Sequence, residues 1–305
     1  MAALTPSVVN ALTFDVEDYF HVSAFDRVVP RSRWDSLEHR VDASTDRVLA
    51  VLADADVRAT FFVLGWVAER FPGLVRRIAA GGHELASHGY GHRLVYELSP
   101  DEFRQDLRRS RAAIESAVAA PIVGYRAPSY SITMKSLWAL DVLIEEGFTY
   151  DASIFPIHHD RYGIPDAPRH PYRIDRAAGH IWEIPPSTVR LAGTNLPVAG
   201  GGYFRLLPYR WTRWGIGWLN RREERPAIFY LHPWELDPGQ PRLGASGLSR
   251  VRHYRNLDRT EARLRRLLKD FRFGPVSAAL AAPAFQPAAP PAPPVFPALR
   301  QVFGG

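Results

Sequence analysis

Short β-branched or aromatic runs alternate with stretches of helical period along most of the chain. Residues 9–14, 59–64, 83–87, 122–125, 148–152, 180–184 and 227–231 read as strands. The intervals carry helix signals. Ser99-Pro100-Asp101-Glu102 combines a capping Ser, Pro in the first turn and Glu at the third position, and predicts a helix to about Val118. Thr133 opens a second predicted helix over 134–146, which Gly147 suits as a left-handed stop. Leu257, Leu264, Leu268 and Phe271 fall on one helical face, with arginines between them pointing outward. This alternation predicts an α/β fold with a parallel sheet or barrel. The pattern stops near Leu280. Residues 281–297 hold seven prolines among alanines, which predicts a disordered, polyproline-like tail over 281–305. Two long stretches, 19–41 and 155–178, fit a regular barrel poorly. Both follow strand ends, where functional loops gather.

With 305 residues, 46% hydrophobic, the chain can bury one large core. It has no cysteine, so disulfides and thiolate metal sites are excluded, and any metal falls to His, Asp or Glu. The first basic residue is Arg27, and Thr5, Pro6, Ser7 and Asn10 interrupt any apolar leader, so no secretory signal is read. No apolar run reaches the ~18 residues of a membrane span. These features lead us to expect a cytoplasmic protein, with peripheral contact at the inner membrane as the alternative. The net charge is +6, and of 38 basic residues only Lys135 and Lys269 are lysine. That charge suits solvated helix faces, an anionic polymer or a membrane surface. No nucleic-acid motif accompanies it, so no nucleic-acid partner is expected.

Candidate chemistry collects at strand ends. The stretch T-F-D-V-E-D places Asp15, Glu17 and Asp18 where a buried strand gives way to loop. Buried negative charge there calls for a positive partner. Side-chain alternation turns Asp15 and Glu17 to one face. S-H-G-Y-G-H places His88 and His92 around two glycines after the third strand. Two imidazoles and a carboxylate make a zinc-type ligand set with positions left open. Arg126 and Pro128, Asp151, and His232 with Trp234 follow later strands in the same way. His158-His159-Asp160 is a second, weaker metal candidate, and aromatic rings at Tyr130, Tyr162, Trp182 and Trp234 suit sugar faces.

In this order, T-F-D-V-E-D, S-H-G-Y-G-H, R-A-P-S-Y, Y-D-A-S and Y-L-H-P resemble the motifs of NodB-type polysaccharide deacetylases, carbohydrate esterase family four, over residues 9–235. D-V-E-D-Y-F, G-G-G-Y-F-R (200–205) and H-Y-R-N (253–256) resemble a subgroup found with exosortase-linked exopolysaccharide loci. The resemblance implies a deformed (β/α)7–8 barrel, with one catalytic domain over 1–280. Its C-terminal helical extension would occupy 236–280. It implies a metal-dependent hydrolase removing N-acetyl groups from an exopolysaccharide or a lipid-linked precursor. A cyclic-amide hydrolase or an inactive sugar-binding relative are the alternatives. The metal would be zinc, with cobalt or nickel possible. In this reading Asp15 is the general base and Arg126 orients it. His88 and His92 hold the metal with Glu17 or Asp18. His232 is the general acid, tethered by Asp151 or by its rival Glu183. Pro128, Ser129, Tyr130, Trp182 and Trp234 contact substrate, and a backbone N–H after Pro128 receives the oxyanion. Gly89 stands where the family has Ser or Thr, and Val16 where it has the metal-binding Asp.

Overall fold

The computed structural model describes residues 8–244 and 247–281. β1 (Asn10–Val16) leads through a long loop into α1 (Val41–Asp54). β2 (Thr60–Val63), α2 (Gly65–Arg70), α3 (Pro72–Ala80) and β3 (Glu84–Ser87) follow. Next come α4 (Pro100–Val118), β4 (Gly124–Tyr125), α5 (Ala139–Glu145) and β5 (Tyr150–Asp151). The second half runs β6 (Tyr172–Arg176), β7 (Gly179–Glu183), β8 (Thr188–Leu191), β9 (Thr194–Pro197), α6 (Gly201–Leu206) and α7 (Tyr209–Arg222). It ends with β10 (Ile228–Leu231), α8 (Gly247–Tyr254), α9 (Leu257–Asp270), β11 (Phe273–Gly274) and α10 (Val276–Ala281).

Nine strands form one sheet in the order β10-β1-β2-β3-β4-β5-β7-β6, with β11 beside β1. All pairs are parallel except β6 with β7. Among the described residues the two ends of this order do not pair, so the barrel stays open. All seven residues of β1 are buried, as expected of a strand covered on both faces. Phe14 pairs with Leu231, Val63 with Ser87, Ser87 with Tyr125, Tyr125 with Asp151 and Asp151 with Glu183. This register aligns the carboxyl ends of seven strands, the edge where parallel α/β folds place their ligands.

Each of the seven sequence-predicted strands has a counterpart. Three features escaped the sequence reading. β6 lies inside the stretch taken as loop, although Tyr172 and Ile174 alternate as buried residues with exposed Arg173 and Asp175. The β8–β9 hairpin and the two-residue β11 were also missed. The capping box at Ser99 is present, with Ser99 N–H donating to Glu102 Oε2 at 2.9 Å. The helix predicted over 134–146 begins only at Ala139. Ser136 diverts the start, since its hydroxyl donates to Ser131 O and accepts from Thr133 N–H. On α9 the buried positions are Leu257, Thr260, Leu264 and Leu267, so Leu267 is inside where Leu268 was expected. The predicted tail lies outside the described residues beyond 281. No described helix is long and apolar enough to cross a membrane.

Candidate metal centre and active site

At the aligned strand ends a pocket of about 150 Å³ is lined by Asp15, Glu17, His88, His92, His232, Trp234 and the rings of Tyr130, Tyr162 and Tyr230. Asp15, the sixth residue of β1, points into it. Glu17 follows two residues on and shares its face.

The 87–92 turn is fixed by Asp106 on α4. That carboxylate accepts from Tyr90 N–H at 2.7 Å and Gly91 N–H at 3.3 Å. Gly89 has φ +71°, and a Cβ there would meet Asp106 Oδ2 at 2.8 Å. A glycine therefore suits this position better than the family's Ser or Thr. The turn brings His88 and His92 to within 5.5 Å of each other, ring to ring.

Glu17, His88 and His92 place ligand atoms within 4.8 Å of one another, and all three are buried. They are the one such group of three among the described residues, so the 158–160 triplet does not form a second. The donor set fits a divalent cation. His88 Nδ1 contacts Arg126 O at 2.8 Å, which places a proton on Nδ1 and leaves the Nε2 lone pair free. Burial pushes His88 down to about 4, so the imidazole stays neutral, as a metal ligand must. Burial raises the Glu17 carboxyl, but the His92 charge and hydrogen bond outweigh it and hold it well below the usual carboxylate range. Glu17 Oε2 and His92 Nδ1 lack hydrogen-bond partners among the described residues, although Glu17 Oε2 lies 2.8 Å from His92 Nε2. Buried acceptors crowded around one point are the arrangement a cation satisfies.

Asp18 lies outside this group. Its carboxylate accepts from Tyr19 N–H at 2.9 Å and from Arg40 and Val41 N–H at 2.8 and 3.0 Å, which caps the start of α1. Burial pushes it up to about 6 against those three donors.

Asp15 Oδ1 accepts from Arg126 at 2.7 Å, and the same Nη1 donates to Thr13 Oγ1 at 2.9 Å. Arg126 is fully buried, so this pairing satisfies a charge that would otherwise be costly. His232 Nε2 sits 3.8 Å from Asp15 Oδ2 and 3.7 Å from Glu17 Oε1. Trp234 Nε1–H donates to Glu17 Oε1 at 3.1 Å and its ring stacks on His232.

The tether of His232 is neither Asp151 nor Glu183. Glu235 Oε1 takes both His232 Nδ1–H at 2.8 Å and His232 N–H at 3.0 Å. Glu235 Oε2 accepts from Arg205 Nε at 2.6 Å. Arg205 Nη1 donates onward to the carbonyls of Arg252, His253 and Arg255 at 2.9, 2.9 and 3.0 Å. Asn256 Nδ2 donates to Arg205 O at 2.7 Å, and the His253 ring stacks on Trp234 at 4.2 Å. The motifs at 200–205 and 253–256 thus brace the loop that carries His232. Burial lowers the His232 pKa, but the Glu235 hydrogen bond and the fields of Glu17, Glu235 and Asp15 outweigh it, and the group rises to about 9. Glu235 in turn falls to about 2 despite its burial, because Arg205 and His232 face it.

Asp151 instead accepts from Ser153 Oγ, which takes Ala127 N–H at 2.7 Å. It therefore supports the backbone beside Arg126. Glu183 is its neighbour across the β5–β7 pair. Burial and the adjacent Asp151 charge push the Glu183 carboxyl well up. Pro128 is buried and Ser129 turns at φ +52° to reach the pocket rim. Trp182 packs half-buried with Tyr150, Ala152 and Ile184, away from the pocket. Sequence reasoning missed Thr13, Arg205, Glu235 and Tyr230. Glu235 alone carried a local signal, three residues after His232 in H-P-W-E.

Residues 5–144 match the family model described as polysaccharide deacetylase, and 152–281 match a domain of unknown function, DUF3473. The first supplies Asp15, Glu17, His88, His92 and Arg126. The second supplies Arg205, His232 and Glu235. A peptidoglycan-N-acetylglucosamine deacetylase of Bacillus cereus is 41% identical over 63 residues, 21% of this chain and 23% of its own length. A chitooligosaccharide deacetylase of Rhizobium leguminosarum bv. trifolii is 33% identical over 114 residues, 37% of this chain and 49% of its own. The chain thus spans less than half the length of these curated relatives. A crystal structure from Mycobacterium smegmatis, provisionally named a polysaccharide deacetylase, has the same fold. Its TM-score is 0.59 at 22% identity, over 90% of both chains. Residues 5–144, which carry the two-histidine, one-carboxylate group at the strand ends, are thus a polysaccharide deacetylase domain of the NodB type, carbohydrate esterase family four, followed by the DUF3473 region.

Proposed function

We propose that the chain is a metal-dependent hydrolase that removes N-acetyl groups from amino-sugar units of a bacterial polysaccharide or its precursor. The observation that carries this reading is one pocket holding a carboxylate paired to a buried Arg, a buried His/His/Glu set and a braced imidazolium. The deacetylases among its relatives support the same chemistry.

Glu17, His88 and His92 hold the metal, with zinc preferred for this donor set. A divalent cation there supplies Lewis acidity, making water a better nucleophile and the acetamide carbonyl a better electrophile. Asp15 takes the proton of the attacking water. Arg126, itself held by Thr13 Oγ1, keeps its carboxylate aimed. Negative charge develops on the acetyl oxygen as the water adds. Tyr130 and Ser131 spend their N–H groups on Ala127 O and Pro128 O. The oxyanion therefore falls to Ser129 N–H. His232 Nε2 gives its proton to the sugar nitrogen as the C–N bond breaks, releasing acetate and a free amine. Glu235 holds the other ring nitrogen, so Nε2 faces the pocket. Tyr130, Tyr162, Tyr230 and Trp234 offer rings to the sugar face.

The test is acetate release from N-acetylglucosamine oligomers by chelated and zinc-restored protein. Release that returns with metal supports the proposal. A fully loaded protein that releases none refutes it.

A further inference from the structure

A second cavity of about 180 Å³ opens beside the first and shares Val22, Ser129 and Tyr162 with it. Ser23 Oγ and Ser129 Oγ, 2.7 Å apart, form the sill between the two. One wall is a stack of rings. Phe155 and Tyr162 lie parallel at 6.1 Å, and the His159 ring covers Tyr162 at 3.8 Å. His159 is the outer, half-exposed member. Burial holds it below its ordinary pKa, so the stack ends on a neutral ring although Asp160 sits 3.0 Å away.

The mouth carries Arg161 and Arg252. Both are exposed, and neither has an ion-pair partner among the described residues. The one lining carboxylate, Asp160, contacts His159. Asp26, which feels the Arg161 charge, does not line the cavity. Arg252 is also pinned at its backbone, because its carbonyl accepts from Arg205 at 2.9 Å. Its place at the mouth is therefore fixed by the same brace that holds His232.

A flat neutral ring beside two uncommitted guanidinium groups suits a sugar with an anionic substituent. We infer that this cavity is a subsite for the residue next to the one deacetylated, and that this neighbour bears a carboxylate or phosphate. The inference rests on the deacetylase reading for its register. The cavity lies one sill away from Asp15 and His232, so the anionic unit sits beside the N-acetylated one rather than in the reacting position. Arginine matches either acid through paired N–H donors.

The test reads binding apart from turnover. Zinc-loaded Asp15→Asn protein is titrated with a tetrasaccharide alternating N-acetylglucosamine and glucuronic acid, with its carboxyl-reduced counterpart, and with that reduced sugar phosphorylated on the glucose units at O6. The acidic tetrasaccharide should bind about 10-fold or more tightly than the reduced one, the scale of one charge-assisted contact. Arg161→Gln with Arg252→Gln in the same background should bring that ratio close to one. Zinc content and melting temperature report that the variant remains folded. A larger gain for the phosphate than for the uronate assigns the subsite to phosphate, and the reverse to carboxylate. Equal affinity for the acidic and reduced sugars, or a preference that survives the double substitution, overturns the inference. Acetate release from the reduced sugar by wild-type protein is read separately. If that release occurs without any binding preference, the subsite fails while the deacetylase reading stands.

Discussion

Replacing Glu235 by Gln tests the least expected feature of the site. The substitution keeps size and leaves Oε1 able to accept from His232. It removes the charge that faces the imidazolium and turns an NH₂ toward Arg205 Nε, which now lies 2.6 Å from an acceptor. A hydrogen bond to a charged acceptor contributes about 1.5–3 kcal/mol, and a neutral one about 1 kcal/mol. The difference, about 0.5–2 kcal/mol, should fall on the step that needs a protonated, oriented His232. We expect kcat on an acetamide to fall about 10-fold. An acetate ester, whose leaving group needs less protonation, should lose much less. Metal content should stay unchanged, because Glu235 is not among the ligands. Asp151→Asn should leave the amide-to-ester ratio at its wild-type value, since its bond goes to Ser153. Equal loss on amide and ester in Glu235→Gln, or a selective amide loss in Asp151→Asn alone, would refute the tether.

His88→Ala and His92→Ala should each abolish stoichiometric zinc. Asp18→Ala should keep it while losing about 2 kcal/mol or more of stability, because two N–H groups at the start of α1 and that of Tyr19 lose their acceptor. Metal analysis and urea titration separate the two. Gly201→Ala would drive a Cβ into the Glu235 carboxylate. It should cost about 1–3 kcal/mol and lower amide turnover with it, and an unchanged melting temperature would show that the brace yields freely. A further prediction concerns pH. His232 is raised in the folded state to about 9. The stability it contributes is therefore complete below about 6.5 and lost as pH rises through 9. The melting temperature of metal-free protein should fall more across that window than that of His232→Gln, and parallel curves would remove the assignment.

Where the sequence could be read, its signals were local. Asp15 and Glu17 are two apart on a strand, His88 and His92 lie on one turn, and each catalytic candidate follows a β-branched run. Strand ends and motif order were legible for that reason. Glu17 and Asp18 could not be separated by residue type, because the difference lies in α1, whose unsatisfied N–H groups draw Asp18 away. The His232 tether was missed because Arg205 meets Glu235 across thirty residues, and the carbonyls that hold Arg205 are nearly fifty away. Trp182 looked like a sugar platform in the sequence but packs with the β5–β7 neighbourhood. β6 was lost because its charged, outward residues masked a period of two.

The central claim is that Asp15 performs the chemistry while Glu17, His88 and His92 hold the metal. Zinc-loaded Asp15→Asn, incubated with N-acetylglucosamine oligomers, tests it most directly through acetate release and bound zinc measured on one sample. The account predicts one zinc per chain, as in the wild type, and acetate release reduced ~10²-fold or more, the usual scale for a lost general base. Full zinc with undiminished acetate release, or loss of zinc on this substitution, would contradict it.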